Sequence, residues 1–522
     1  MLLHFGIAPT VTPFQILLLG LYVPLTCLLA LYGIHRVNVL FAYLRTRKNN
    51  PVPQAEWDHV PTLLVQVPIF NERAVVLRLL DAIEAFDYPR DKLRVQVLDD
   101  STDETVAIAG KAVERLRAKG LDIVHLLRSN REGYKAGALA EGLKVDDSEL
   151  VAVFDADFVP DPQWPNKVIP FLADPRVGVT QTRWEHRNLE QNILTKLQGF
   201  FLDAHFILEH TYRNRTGRFI NFCGTAGMWR RACIEDAGGW SACSITEDTE
   251  ISFRAQLKGW KFIYLRDVTV PAEVPADVDA YKAQQHRWAK GYTEVLREHL
   301  PTIWRAPIPI KTKIEATLML SNHFAFLLMG ALTILHLPLV LVRTSFHSTT
   351  AQVVLDLLGI NLVILAFFAF YIVGQWEAGR LTWRRILLIP LALGLGMSHM
   401  VNSSRAVLEA VFGLKTGFVR TPKEGDKPEV GSSYKANAAT GQALVEVAFG
   451  IYLLVSSIVM ASRGHILGVP LNLVVSLGFL FLGLSTLKNR WSSKAPPIAE
   501  KEGVEPTHAL PAWSRPSPAA GE

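Results

Sequence analysis

The sequence predicts an α/β domain, organised around a mainly parallel sheet and inserted between membrane-spanning helices. Three observations predict it. Long uncharged apolar runs lie near both ends of the chain, short apolar strands alternate with helices between them, and carboxylates stand at the ends of two of those strands.

Bulk composition agrees. Of 522 residues, 49% are hydrophobic and 20% charged, and the mean hydropathy is +0.18, too apolar for a wholly water-soluble chain. The length exceeds one ordinary domain. A net charge of +5 does not argue for a nucleic-acid partner, because the positive residues track the membrane flanks. Cys27, Cys223, Cys233 and Cys243 form no C-x-x-C pair and read as free thiols in a reducing compartment.

The first apolar run, Phe14 to Ile34, spans roughly 31 Å as a helix, about the thickness of a hydrocarbon core. No basic region precedes it, so a cleaved signal peptide is not expected. Arg36, Arg45, Arg47 and Lys48 follow it and place that flank in the cytoplasm, with the N-terminus outside.

Residues 50 to about 312 contain no uncharged run long enough to span. Strands are expected at 62–69, 93–99, 121–127, 149–157 and 177–183, with helices over Arg73 to Phe86 and Asp103 to Lys119. In such sheets ligands bind beyond the carboxyl ends of the strands. The acidic residues fall there.

Towards the C-terminus, 316–342 and 352–376 read as a spanning hairpin, and 443–462 with 466–487 as a second one. Arg380, Arg384 and Arg385 after the first, and Lys488 and Arg490 after the second, mark cytoplasmic ends. Between them, 386–400 is short for a crossing, and 401–414 is amphipathic with Arg405 and Glu409 at i,i+4. The next loop, 415–440, is rich in Lys and Arg. A re-entrant or interfacial segment at 386–400 keeps that loop cytoplasmic, giving five spans. The last residues, rich in Pro, Ala, Glu and Ser, read as a disordered tail.

Three acidic clusters carry chemistry. "VLDD" ends one strand with Asp99 and Asp100, "FDAD" another with Asp155 and Asp157, and "ITEDTE" carries Glu247, Asp248 and Glu250. A D-x-D at a strand end can hold a hard divalent ion and leave positions open for phosphate oxygens. Singly, each cluster has a plainer explanation. Asp155 and Asp157 can cap a following helix, and Ser244 with Glu247 has the spacing of a capping box. Together, in one α/β domain, they argue for a site.

"AYKAQQHRWAKGYTE" completes the set. On a helix, Tyr281, Gln284, Arg287, Trp288 and Gly291 share a face, with His286 and Lys290 on others. Arg suits phosphate oxygens and Trp suits the apolar face of a sugar. The same composition suits a helix lying at a membrane surface, and the two readings are compatible. Within the spans, Asn322, His323, Asp356 and Glu446 are costly unless they line a cavity or pair with other polar groups.

"VLDD", "DAD", "TED" and "QQHRW", in this order between membrane spans, resemble the processive family 2 glycosyltransferases: cellulose, hyaluronan and chitin synthases and the cellulose-synthase-like mannan and glucan synthases. "QVPIFNE", "REGYKAGAL", "FCGTAGMWR" and "FVRTPK" match as well, and the wording is most similar to the mannan and glucan synthase-like branch. The resemblance covers roughly residues 14–487. It implies a Rossmann-like GT-A domain in the cytoplasm, inserted between transmembrane α-helices. The divisions are an N-terminal span in 1–35, a catalytic domain with its interfacial QxxRW helix in 36–312, and a hairpin in 313–376. A re-entrant segment and gating loop in 377–440, a hairpin in 441–487 and a tail in 488–522 follow. The setting is a multi-pass protein of a bacterial inner membrane or its equivalent.

The resemblance also implies roles. Asp100, or Asp99, contacts the nucleotide, and Lys135 the base or diphosphate. Asp155 and Asp157 hold Mg²⁺ or Mn²⁺ and the diphosphate. Asp248 is the general base. Gln284 and Arg287 bind the diphosphate, and Trp288 stacks on the acceptor. Gly224, Thr225 and Glu247 lie at the acceptor end, and Phe418, Arg420, Thr421 and Lys423 form a gating loop over the nucleotide. The donor is GDP-mannose or UDP-glucose, and the acceptor a growing glycan or a lipid in the bilayer.

The chain shows no recognisable domain of the kind that binds a cyclic dinucleotide in bacterial cellulose synthase, which favours a compact cellulose-synthase-like polymerase. The rivals are a glycolipid-forming transferase, adding one sugar to ceramide or diacylglycerol, and a transporter whose transferase domain is inactive.

Overall fold

The computed structural model describes residues 12–128, 130–343, 362–414, 425, 440–464 and 466–492. Its centre is a seven-stranded sheet with the order β3-β2-β1-β4-β6-β5-β7. The strands are β1 (Leu63–Ile69), β2 (Leu93–Asp99), β3 (Asp122–Leu127), β4 (Leu150–Val153), β5 (Val177–His186), β6 (Gly227–Arg230) and β7 (Lys261–Ala272). β6 runs antiparallel to β4 and β5, and the other neighbouring pairs are parallel. The expected strands are all present, with β4 ending four residues before Asp157. β6 and β7 are additional. β6 has four residues, and β7 carries Arg266 and Asp267 and meets β5 with irregular register, so neither shows an uninterrupted apolar pattern.

Alternation along β1 builds two cores. Leu63, Val65 and Val67 pack with Val76, Leu79 and Ile83 of the helix Val76–Glu84 on one face. Leu64 packs on the other with Ala136 and Leu139 of the helix Tyr134–Lys144. Inside that second layer, buried Gln66 donates to Gln96 Oε1 (3.0 Å) and to the Leu139 carbonyl (3.2 Å), and Gln96 donates to the Gly142 carbonyl (2.9 Å). A Cβ at Gly142 would lie 2.5 Å from both amides. This polar tie fixes the helix that carries Lys135.

Among the described residues, five helical segments are long and apolar enough to cross a membrane by length and composition: Pro13–Thr46, Phe324–Val342, Trp383–Val411, Thr440–Ser462 and Val469–Trp491. The expected span 316–342 is interrupted, since Ile310–Leu320 and Phe324–Arg343 are separate helices joined at Ser321 to His323. Leu362–Glu377 is a shorter apolar helix, and 352–361 lies outside the described residues. The segment at 386–400 belongs to Trp383–Ser398, which joins Met400–Val411 at His399. The two together have the length of a crossing. The expected pair is present, with Arg405 Nε 2.8 Å from Glu409 Oε1.

Close helix contacts rest on glycine. A Cβ at Gly394 would meet the Val474 carbonyl at 2.7 Å, and one at Gly483 the Ala443 carbonyl at 2.8 Å. Small residues at helix interfaces in lipid allow the backbones to approach in this way.

Candidate active site

Parallel strands bring their carboxyl ends to one edge. Asp99 ends β2 and Asp100 follows it, and Asp155 and Asp157 follow β4. Because β6 is antiparallel, its entry segment Gly224-Thr225-Ala226 reaches the same edge, and Glu273 follows β7 there. Among the described residues, the non-glycine residues with positive φ are Asn71 (56°), Tyr134 (50°) and Ala226 (52°). All three fall in stretches singled out in the sequence. Strain gathered at one edge is characteristic of a functional site.

The two aspartates of β2 part company. Asp99 is buried. Its Oδ1 accepts the Ser101 N–H (2.8 Å) and its Oδ2 lies 2.8 Å from His125 Nε2, so it shapes the turn. Asp100 is clasped by Arg128 through Nε (2.7 Å) and Nη2, and Arg128 also donates to the carbonyls of Glu132 (3.0 Å) and Tyr134 (2.9 Å). Beside them the Arg131 guanidinium lies 3.3 Å from the Phe70 ring centroid and 5.2 Å from that of Tyr134. Sequence reasoning missed Arg128 and His125, since a single basic residue in a loop or within a strand carries no periodic signal.

Lys135 is the hub. Its ammonium donates to Asp155 Oδ1 and to the Gly224 carbonyl (2.8 Å). Burial pulls this ammonium down, but Asp155, Glu247 and Asp248 overcome that and hold it above its usual value. The Asp155 N–H donates to Thr225 Oγ1 (2.9 Å), so the strand end and the glycine loop are stitched together. Asp157 is buried, and its Oδ2 accepts the Glu273 N–H at 3.1 Å. Glu273 is held in turn by Arg78 (2.7 Å), which also reaches the Asp157 carbonyl (3.4 Å). Asp155 and Asp157 offer hard carboxylate oxygens, a donor set that fits a divalent ion completed by ligand oxygens. Among the described residues the only three-residue grouping with metal-ligand spacing is Cys243, Glu250 and Glu298. There Glu250 is already engaged by Arg254 and His299.

Glu247 and Asp248 open the helix Glu247–Leu257. The capping box expected from Ser244 and Glu247 does not form: the cap is Thr246, without a side-chain hydrogen bond. Ser244 instead accepts the Thr246 N–H (3.2 Å). The acidic pair is therefore not a helix cap. Asp248 Oδ1 accepts the Thr249 N–H (2.6 Å). Burial pushes the Asp248 carboxyl up to about 7, Glu247 adds to the rise, and Lys135 opposes it. Burial likewise raises Glu247, against the charges of Lys135 and Arg287.

The helix Val278–Arg305 carries Gln284, Arg287 and Trp288. Gln284 is buried, and Trp288 packs beside Leu189, Leu202, Phe206 and Val274. A Cβ at Gly291 would stand 2.3 Å from Thr246 Cγ2, so glycine lets this helix lie directly on the acidic segment. Phe418, Arg420, Thr421 and Lys423 lie outside the described residues. Gly425 is described: its N–H donates to Glu273 Oε2 (3.2 Å).

A cavity of about 1160 Å³ begins at Asp248, Thr249 and Trp288 and continues between the apolar helices to Gly464 and Gly468 at the turn of the last hairpin. Asn322 and His323 line it, as the sequence suggested. Glu446 does not. It is fully buried against Lys282. Asp356 lies outside the described residues.

The sheet and its acidic edge have the arrangement of a GT-A glycosyltransferase domain, and residues 61–291 match the family described as "Glycosyltransferase like family 2". The fold resembles a mannosyltransferase of Pyrobaculum calidifontis, PcManGT, solved in complex with GDP-Man and Mn²⁺. The TM-score is 0.51 at 19% identity, over 76% of this chain and 100% of that one, a likeness of fold alone. More narrowly, the chain is similar to curated glucomannan mannosyltransferases. It is 38% identical over 322 residues to glucomannan 4-beta-mannosyltransferase 1 of Oryza sativa subsp. japonica, over 57% of this chain and 62% of the relative. To glucomannan 4-beta-mannosyltransferase 2 of Arabidopsis thaliana it is 44% identical over 250 residues, 47% of each. The chain thus spans about half to three-fifths of the length of these curated relatives.

Proposed function

We propose that the protein is a membrane-embedded, inverting hexosyltransferase that polymerises a β-linked mannan- or glucan-type polysaccharide from a nucleotide-diphosphate sugar and passes the product into the bundle. The observation that carries this reading is the cavity that starts at Asp248 and Trp288 and runs to the far turn of the last hairpin. A transferase adding one sugar to a lipid needs no cavity that continues from the base to the far turn of the bundle, with Asn322, His323 and His399 among its mainly apolar walls.

Asp248 accepts the proton of the acceptor hydroxyl, and a carboxyl titrating near neutrality suits that task. Attack on an α-linked donor from the opposite face gives a β-linkage through an oxocarbenium-like transition state. Lys135, Gln284 and Arg287 hold the diphosphate, with Asp100 at the nucleotide, and Trp288, Gly224, Thr225 and Glu247 hold the acceptor end. Asp155 and Asp157 would hold a divalent metal, Mn²⁺ or Mg²⁺, which supplies charge neutralisation to the leaving diphosphate. GDP-mannose is the favoured donor, in keeping with the mannosyltransferase names of the relatives and with the GDP-Man bound to the fold neighbour. To Phe418, Arg420, Thr421 and Lys423 falls the gating role that the resemblance implies. The catalytic domain faces the cytoplasm, as the basic flanks indicate.

Purified protein incubated with GDP-mannose or UDP-glucose and Mn²⁺ or Mg²⁺ tests the reading. A β-linked polymer is the expected product. A single sugar on a lipid would replace it with the glycolipid alternative.

A further inference from the structure

The helix Val278–Arg305 has two polar faces. Tyr281, Gln284 and Trp288 line the cavity. Asp279, Lys282, His286 and Lys290 recur at i, i+3, i+7 and i+11 and turn to the C-terminal helices. His286 Nε2 lies 3.0 Å from Glu409 Oε2, and Lys290 donates to the Leu414 carbonyl (2.6 Å).

Lys282 is the most constrained of these. Its ammonium is buried at 2% exposure and donates to Glu446 Oε2, to Thr486 Oγ1 (2.8 Å) and to the Leu482 carbonyl (3.1 Å). An ammonium has three hydrogens, and all three are used. Two rings close on the same helix. In the first, Gln442 donates to Glu446 Oε1 (2.9 Å) and to Asn402 Oδ1 (3.1 Å), and Asn402 donates back to the Lys282 carbonyl (2.9 Å). In the second, Thr486 donates to Asp279 Oδ1 (2.6 Å).

We propose that Lys282 is a positioning residue: through these rings it fixes the rotation and height of its helix, and so places Gln284, Arg287 and Trp288 at the sheet edge. Nothing in the proposed reaction uses its charge. An ion pair this deep contributes little net stability compared with an apolar pair of similar volume, and its best-attested use is to fix register. A rotation or axial shift at residue 282 carries Arg287 with it, because both sit on one helix. The inference rests on the proposed diphosphate role of Arg287.

A thermodynamic cycle tests it. The full chain in detergent is compared as wild type, Lys282→Met/Glu446→Leu, Arg287→Ala and the triple variant, by binding of GDP or UDP with Mn²⁺ and by transfer kinetics. The paired replacement removes both charges, so no orphan is left to unfold the protein. A thermal midpoint and elution profile like wild type establish folding, and Lys282→Arg, which keeps the charge, is the partial rescue. The expected result is that Lys282→Met/Glu446→Leu binds nucleoside diphosphate about tenfold more weakly, as for one misplaced charge-assisted hydrogen bond. Arg287→Ala then costs little more in that background, since coupled residues are non-additive. Unchanged affinity in the folded paired variant, or full additivity with Arg287→Ala, overturns the positioning role. Should Arg287→Ala alone leave nucleotide binding intact, the diphosphate reading of the helix is what fails, and the positioning role falls with it.

Discussion

Gly224 and Asp248 are in direct apposition: a Cβ at Gly224 would stand 2.9 Å from Asp248 Oδ2 and 3.5 Å from Lys135 Nζ. The φ of Gly224 is +80°, where an L-residue is strained by about 1–2 kcal/mol. Gly224→Ala is therefore expected to displace Asp248, the proposed base, rather than unfold the domain. The turnover number should fall roughly 100-fold, the cost of misplacing a reacting group by an ångström. The thermal midpoint should change little, and steady-state kinetics beside a melting curve separate the two effects.

Asp248 supplies two pH signatures. As the proposed base it must be ionised, so transfer should rise with pH and level off above about 7. Asp248→Asn should lower transfer by about 100- to 10,000-fold while nucleotide still binds. Stability moves the other way. The folded carboxyl keeps its proton to about 7 from an ordinary 3.8, so between those values the folded state binds more protons than the unfolded chain. The contribution of this group to stability is present at low pH and lost as pH rises through about 7. The midpoint of Asp248→Asn minus that of wild type should thus be near zero at acid pH and grow positive towards pH 8. A constant difference would mean the environment of Asp248 is polar.

Much of this site was legible because its chemistry is compressed into strand ends. Asp155 and Asp157 stand out after an apolar strand, and Gln284, Arg287 and Trp288 share a helical face that packing alone would not require. What stayed hidden depends on topology. Glu273 joins the edge only because β7 pairs with β5, and β7 lacks a clean alternating pattern. Arg128 reaches Asp100 across a loop that no periodicity marks. Asp99 and Asp100 look equivalent in sequence, and only the pleat sends one inward to His125. For Glu446, composition could not choose between a cavity wall and a polar pair, because the choice is made by Lys282, far away in the chain.

Metal dependence has an outer layer to probe. Chelation should abolish transfer, and Mn²⁺ or Mg²⁺ should restore it. Arg78 touches no substrate in the proposed reaction, but it donates to Glu273 and to the Asp157 carbonyl, and the Glu273 N–H orients Asp157. Arg78→Ala should therefore raise the metal concentration needed for half-maximal transfer by about 10- to 100-fold, the usual cost of losing a ligand's supporting partner. The rate at saturating metal should recover. A fall in rate with unchanged metal dependence would place Arg78 elsewhere in the chemistry.

Under the proposed function, a substitution in the cavity should separate bond formation from chain growth. Asn322 lies in the break between Ile310–Leu320 and Phe324–Arg343 and lines the passage beyond the catalytic edge. Its side chain borders space, not the reacting atoms. Asn322→Phe should narrow the passage and leave the sheet edge intact. The expected outcome is an unchanged initial rate of transfer to a short soluble oligosaccharide, together with a shift of the long product to lower mass. The reasoning is steric: each added sugar must advance past residue 322, whereas the first transfer does not. Equal losses in both assays would indicate that the substitution disturbs Asp248 through the helix packing. A product of unchanged length would indicate that the glycan leaves by another route.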